Sequence, residues 1–500
     1  MVALAHGFTI DGPQARHVAV EVDVRSGLPA FTIVGLADAA VREARERIQT
    51  AVRNSGFQWP ARRITANLAP GDLRKAGPGL DLALACAILA ATGELPAERL
   101  GTLALFGELG LDGRVRAAHG TLAVADAARR LGLRTLASSP EAAREAALVE
   151  GLAAVPVTDL RAAGRLLSGE LAARARAAPR KPPAAYSPHP DLADVRGRGE
   201  AAQALIVAAA GAHNLLLSGP PGVGKTMLAR RLPGILPPPD REEALELARL
   251  ESLRAGPVGT LPTERPFRAP HHTITPAGLV GGAGSGWAGE VAQAHRGVLF
   301  LDELSEFSRA ALDALRQPLE DGFVTIARGG RTATHPSRFM LVCATNPCPC
   351  GYAGEPGRCR CSAVEIERRR RRLSGPLLDR LDLFVGLALE RSDGEPITSA
   401  EARASVREAR ERQARRLRGD GVRVNAEMDA AMLARHARLH GRGGELLASA
   451  RSRGLLSARG EHRTLKVART IADLAGAERI RTDDLAAALA LRCEPRAGAA

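Results

Sequence analysis

One octapeptide constrains this chain more than any other feature: Gly219-Pro220-Pro221-Gly222-Val223-Gly224-Lys225-Thr226. It satisfies the pattern G-x-x-x-x-G-K-[ST] at every fixed position. The apolar run His213-Asn214-Leu215-Leu216-Leu217-Ser218 leads into it as an expected strand, and Met227-Leu228-Ala229-Arg230-Arg231 follows as a helix start. Glycines let such a loop wrap closely enough for its backbone N–H groups to bond phosphates. The helix N-terminus adds partial positive charge, Lys225 reaches the β- and γ-phosphates, and the Thr226 hydroxyl is offered to Mg²⁺. The other reading, a chance glycine-rich turn, leaves the flanking strand and helix unexplained. ATP and Mg²⁺ are therefore the expected cofactors.

Two further strand ends extend the site. Gly297-Val298-Leu299-Phe300-Leu301-Asp302-Glu303 is an apolar strand closed by two acids, which are costly there unless they serve a cation. Asp302 is expected in the Mg²⁺ shell and Glu303 as the base that polarises the attacking water. Arg338-Phe339-Met340-Leu341-Val342-Cys343-Ala344-Thr345-Asn346 ends in an amide. Asn346 is expected to orient that water; the bland reading is a turn-starting Asn before Pro347. Downstream, Leu377-Leu378-Asp379-Arg380-Leu381-Asp382 presents Arg380, either an arginine finger that completes a neighbour's site or half of a surface ion pair.

Length and patterning set the frame. Five hundred residues exceed one core, so several domains are expected. Residues 1–170 alternate β-like stretches (Val18 to Val24, Arg63 to Leu68, Thr102 to Leu105) with helical patterns such as Ala37 to Val52. Residues 171–190, rich in proline, read as a linker. Residues 191–390 carry the nucleotide-binding α/β pattern, and 391–500 are helical, with long Arg/Glu/Ala stretches at 399–418, 426–440 and 461–476.

The net charge of +14 favours a polyanionic partner such as nucleic acid, or else reflects arginine spread over solvated helices. Met1 to Ile10 lacks the pattern of a signal peptide. The most apolar run, Leu82 to Ala91, is about half the length that spans a bilayer. A cytoplasmic protein without a membrane partner is expected.

Cys348, Cys350, Cys359 and Cys361 fall in a Gly/Pro-rich loop. Four sulfurs can surround Zn²⁺ tetrahedrally, although C-x-C is tighter than the usual C-x-x-C. A structural zinc site, redox-labile thiols and plain reduced cysteines all remain open. Cys86, Cys343 and Cys493 read as core or incidental residues. Val324 to Thr334 reads as a β-hairpin whose Gly329-Gly330 turn carries Arg328 and Arg331 at its tip, either a phosphate grip or a solvated hairpin. Arg368 to Arg372 read as a solvated helix face ahead of a surface that meets DNA or a neighbouring subunit. For His271 and His272 local hydrogen bonding is expected ahead of a ligand role.

From Asp191 through Asp473 the chain resembles the YifB/ComM family of magnesium-chelatase-like AAA+ ATPases. The resemblance rests on the segments Ala208 to Asn214, Phe267 to Thr273, Ala294 to Glu303, Asn346 to Gly351, Ser374 to Arg380 and Ala468 to Leu474. It implies an α/β fold with an AAA+ P-loop core, a helix-2 insert near Gly278 to Glu290, a pre-sensor-1 hairpin and a helical lid. It implies Asn346 as sensor 1, Arg463 as the sensor-2 arginine with Arg459 as second choice, and a homo-hexameric ring. It further implies a branch-migration DNA helicase of recombination and natural transformation. Residues 1–170 resemble the Lon proteolytic-domain fold, an α+β domain, through Leu73 to Asp81 and Gly110 to Ala128. Where that fold places its serine stands Gly79, and the lysine region reads Thr121-Leu122-Ala123-Val124, so peptidase chemistry is not expected. A protein-remodelling ATPase like the magnesium-chelatase motor is the alternative function.

Overall fold

Val18, Val20, Val22 and Val24 alternate with residues of other kinds, and a period of two sends all four to one face of a strand. All four are buried in β2 (Gln14–Arg25), which pairs antiparallel with β1 (Val2–Asp11) along its length. The computed structural model describes residues 2–171, 189–282, 289–328, 331–355, 357–372, 375–389 and 395–492. Most of the expected linker 171–190 and part of the expected insert at 278–290 lie outside them.

The chain divides into two units. The first comprises Met1–Ala184, Asp240–Pro262 and Gly330–Thr334. With β3 (Ala30–Val34), β4 (Arg63–Ala69), β5 (Leu103–Leu105), β6 (Thr135–Ser138) and β7 (Ala153–Pro156), its mixed sheet runs β3-β4-β2-β1-β5-β6-β7. The helix Asp81–Ala91 is apolar on every side and every residue of it is buried, so the most apolar run of the sequence is a core helix. Among the described residues no helix is long and apolar enough to cross a membrane.

The helix Arg241–Ala255, expected within the nucleotide-binding segment, belongs instead to this first unit. Its Ala248 sits in one apolar cluster with Leu122, Val124 and Leu136. Arg249 lies 3.1 Å from Asp126, and the Glu145 carboxylate accepts from the Val258 N–H at 3.0 Å.

The second unit comprises Ala185–Pro239, Thr263–Gly329 and His335–Ala500. Its sheet contains β8 (Leu215–Ser218), β9 (Phe267–Arg268) and β10 (Val298–Leu301). A separate two-stranded hairpin, β11 (Phe323–Arg328) with β12 (Arg331–Pro336), stands at the expected place, with residues 331–334 counted in the first unit. The side chains of Arg328 and Arg331 lie outside the described residues. Then come β13 (Met340–Thr345) and β14 (Leu383–Gly386). The sheet order is β9-β10-β13-β8-β14, with every pairing parallel. Parallel strands are covered on both faces, which is why β10 and β13 are unbroken apolar runs with every residue buried.

The two faces feed two cores. Leu215, Leu217, Val298, Phe300, Val342 and Ala344 pack with Leu205, Val406 and Val467 from the helices Gly199–Gly211, Ser399–Arg416 and Ala458–Leu474. Leu216, Leu299, Leu301, Leu341 and Cys343 pack against Phe307, Leu312 and Leu315. The C-terminal helices thus share a core with the sheet. Arg410 and Gln413 reinforce this by donating to the last carbonyls of the first helix, Ala209 and Ala210, at 3.0 and 3.1 Å.

Candidate functional site

In an open parallel sheet, ligands bind beyond the carboxyl ends of the strands, where the strand order reverses. Here that point is the end of β8, flanked by β13 on one side and β14 on the other. Ser218 is level with Thr345, and Leu301 with Cys343. Asp302, Glu303, Asn346 and the loop Gly219–Gly224 therefore emerge at one edge because their strands share one register.

The loop is anchored by Val223, which is buried, while Pro221 and Gly222 are exposed. Gly224, at φ +95°, starts the helix Lys225–Ala229. The Lys225 ammonium donates to the carbonyls of Gly219 (2.6 Å) and Pro220 (2.8 Å) and to the Asn346 side-chain oxygen (2.9 Å). Burial lowers its pKa from the ordinary lysine value, against the pull of the Asp302 carboxylate. The Thr226 hydroxyl donates to Asp302 Oδ2 at 2.7 Å, and the other Asp302 oxygen accepts the Glu303 N–H at 2.9 Å.

Glu303 itself is held at φ +51°, a left-handed backbone that costs a non-glycine residue about 1–3 kcal/mol and that tends to persist at functional sites. Its side chain is largely exposed, and His272 Nδ1 lies 3.4 Å from Glu303 Oε2. His271 keeps the expected local role, its Nδ1 2.9 Å from the Thr273 hydroxyl. The approach of His272 to Glu303 was not legible in the sequence, because the two residues stand on different strand connections.

Arg463, expected as a sensor-2 residue, and Arg380, expected to serve a neighbour's site or an ion pair, both lie away from Lys225. Arg463 Nη1 donates to Asp382 Oδ1 at 2.6 Å, at the entry of β14, whereas the phosphate loop follows the exit of β8. Since these strands are parallel, Arg463 sits at the opposite end of the sheet from its own chain's Lys225. Arg380 is at the same end, buried, with its guanidinium against Glu320 and its carbonyl accepting from Arg463 at 3.2 Å. Arg459 is also near Glu320, at 3.9 Å.

Asp382 organises that end. Burial opposes its ionisation, but Arg463 and His213 hold its carboxyl below the usual carboxylate range, and the Asn214 N–H bonds it at 2.9 Å. A second buried polar cluster explains the segment Ala468 to Leu474. Asp473 pairs with Arg469 at 3.0 Å and Arg416 at 2.7 Å, and Thr470 meets His213 at 2.7 Å.

The four thiols of the loop after β13 also converge. The sulfurs of Cys348, Cys350, Cys359 and Cys361 all lie within 4.8 Å of one another, a set that can hold a metal ion. Cys86 and Cys343 are buried core residues, with burial pushing the Cys86 thiol up to about 12. Cys493 lies outside the described residues.

Residues 191–394 match the family model for magnesium chelatase, subunit ChlI; residues 396–492 match its C-terminal model, and residues 20–141 match a further ChlI model. The competence protein ComM of Haemophilus influenzae is 40% identical over 99% of this chain and 98% of its own length. The chain belongs to the YifB/ComM family of magnesium-chelatase-like AAA+ ATPases. Within this family, the uncharacterized protein YifB of Escherichia coli is 39% identical over 99% of the chain and 98% of its own length. An uncharacterized protein of Mycobacterium tuberculosis reaches 46% over 98% of the chain and 99% of its own length. The chloroplast magnesium-chelatase subunit of tobacco matches only 27% of the chain, at 27% identity. Full-length similarity thus runs to the YifB/ComM proteins, and similarity to that chelatase subunit is partial.

Proposed function

We propose that this chain hydrolyses ATP as a ring-forming DNA motor, a homo-hexameric branch-migration helicase acting in recombination or natural transformation. The observation that carries the reading is the convergence of Lys225, Thr226, Asp302 and Asn346 at one sheet edge, with Glu303 beside them.

The donor set suits Mg²⁺, which takes hard oxygen ligands, and Thr226 and Asp302 would hold it. Bound there, the ion would offset charge on the phosphate oxygens. Lys225 and the loop amides bind and orient the triphosphate. Glu303 accepts a proton from water as its oxygen attacks the γ-phosphorus and the bond to the ADP oxygen breaks, releasing ADP and phosphate. Asn346 and His272 stand where they can orient that water and carboxylate.

Arg380 and Arg463 cannot reach this edge within one chain. Placed together at the opposite end of the sheet, they fit the site of an adjoining copy, where they would neutralise charge on the transferring phosphoryl group. A closed ring provides that contact for every site. The net charge of +14 and the β11–β12 hairpin, with Arg328 and Arg331 beside its turn, support a DNA track.

A protein-remodelling motor is the second reading, favoured by the ChlI family-model matches across the chain. ATP turnover measured with and without Holliday-type DNA separates the two. Stimulation together with strand migration supports the DNA motor; turnover and migration indifferent to branched DNA would transfer the assignment to a protein substrate.

A further inference from the structure

The segment from Pro347 to Ser362 contains no Leu, Ile, Val, Met or Phe, so it cannot build an apolar core of its own. It nonetheless folds back on itself around Cys348, which is buried. Cys348 Sγ lies 3.3 Å from Cys350 Sγ and 3.8 Å from Cys359 Sγ, and Cys350 Sγ lies 3.8 Å from Cys359 Sγ. Zinc–sulfur bonds of about 2.3 Å in a tetrahedron place neighbouring sulfurs about 3.8 Å apart. Backbone amides point at the sulfurs: Ala353 N–H at Cys348 Sγ (3.2 Å) and Cys350 N–H at Cys361 Sγ (3.4 Å). Such N–H groups stabilise thiolates, and four thiolates this close need a cation among them. All four sulfurs within 4.8 Å enclose one ion rather than a multinuclear cluster.

The same loop touches the phosphate site at two points. It leaves β13 through Asn346, whose side chain holds Lys225. At Gly351, which has φ +88°, a Cβ would come within 2.6 Å of Pro221 Cδ, so loop and phosphate cradle are in direct contact. The Glu355 carboxylate further accepts the Leu389 N–H at 3.2 Å, fixing the loop to the chain beyond β14.

We propose that Cys348, Cys350, Cys359 and Cys361 bind one Zn²⁺, and that this ion braces Asn346 and the Gly219–Thr226 loop in their nucleotide-binding arrangement. The bracing rests on reading that loop as the ATP site; the metal assignment does not. Thiol oxidants or strong chelators then act on nucleotide affinity from outside the phosphate site.

The test uses the full-length protein, with metal content measured by elemental analysis and affinity by titrating a fluorescent ATP analogue. Wild type should carry one zinc per chain, released when a mercurial titrates the thiols. The double variant Cys359→Ser/Cys361→Ser should lose the zinc and weaken nucleotide binding about tenfold, the loss expected when one hydrogen bond to a charged group is given up. Gly351→Ala leaves every thiol in place. It should keep the zinc and still weaken nucleotide binding, which separates bracing from failure of the cysteine variant to fold. Wild type without metal, or with iron in place of zinc, overturns the metal assignment. Zinc lost from wild type with nucleotide affinity unchanged overturns the bracing. Wild type that carries zinc but binds no nucleotide refutes the ATP-site reading and leaves the metal assignment standing.

Discussion

The Lys225 ammonium and the Asn346 amide oxygen are 2.9 Å apart, although 121 residues separate them in the chain. Each residue closes a different parallel strand or its loop, so the contact reports the register of β8 against β13. It also means that the cation proposed to bind phosphate and the amide proposed to orient water are set by one sheet. Rigid placement of this kind is what pre-organised phosphoryl-transfer sites require.

Glu303→Gln keeps the size and position of the side chain and removes its basicity. ATP binding should be unchanged and turnover should fall by about 10²–10⁴-fold, the range for loss of a positioned base. Single-turnover hydrolysis with radiolabelled ATP reads this. Retained turnover would remove Glu303 from the role given to it.

Arg380→Ala should bind ATP with near-wild-type affinity while losing most hydrolysis, because its guanidinium lies at the far end of the sheet from its own phosphate loop. Mixed with Lys225→Ala protein, it should recover part of the turnover, since rings of mixed subunits contain interfaces with an intact loop and an intact arginine. Absence of recovery over all mixing ratios, with mixed rings shown to form, argues against shared sites.

Asp382→Asn should be strongly destabilising at pH 7, by about 3–5 kcal/mol, because Arg463 loses its buried partner. The sign with pH follows from the lowered carboxyl. Its stabilisation is complete above the unfolded value of about 3.9 and is lost as pH falls through the still lower folded value. The gap in melting temperature between variant and wild type should therefore be constant from pH 5 to 8 and shrink only under strongly acid conditions. A gap that closes already between pH 5 and 8 would mean that Asp382 is not held ionised in this way.

Gly79→Ser restores the hydroxyl at the position where the Lon resemblance expects it, but should not create a peptidase. A Cβ on residue 79 would lie 2.2 Å from the Phe106 ring, so the added side chain overpacks a buried site and should cost about 1–3 kcal/mol. Thermal unfolding and a casein digestion assay check both halves. Casein cleavage by the purified variant would reopen the protease reading.

What could be read from the residues alone was whatever is local to a strand end. Gly219–Thr226, Asp302–Glu303 and Asn346 each follow an apolar run, and a parallel sheet brings such ends to one edge without further information. The β character of Val18 to Val24 was legible because alternation encodes which face is buried, whereas Leu82 to Ala91 was legible only as an apolar run too short to span a bilayer, since a helix apolar on every side carries no period. Contacts set by packing between distant segments were not. Nothing about Arg241–Ala255 announces that it docks beside Leu122 and Asp126, since its apolar positions suit either unit. Arg463 was expected beside its own chain's phosphate loop because of its position on a lid helix, but Asp382 holds it at the other end of β14. His272 and Glu303 meet because β9 and β10 pair in parallel and both leave at one edge, but the two-residue β9 gives too short a run for that pairing to be read from the sequence.

The central claim is that Lys225 and its glycine loop bind the triphosphate of ATP. Titration of a fluorescent ATP analogue into wild type and into Lys225→Ala, with Mg²⁺ present and folding verified by circular dichroism, tests it most directly. The account predicts saturable binding by wild type and a loss of about 10²-fold or more in the variant, as expected when several charge-assisted hydrogen bonds disappear together. Equal affinity in the two proteins, or no affinity in wild type, would contradict it.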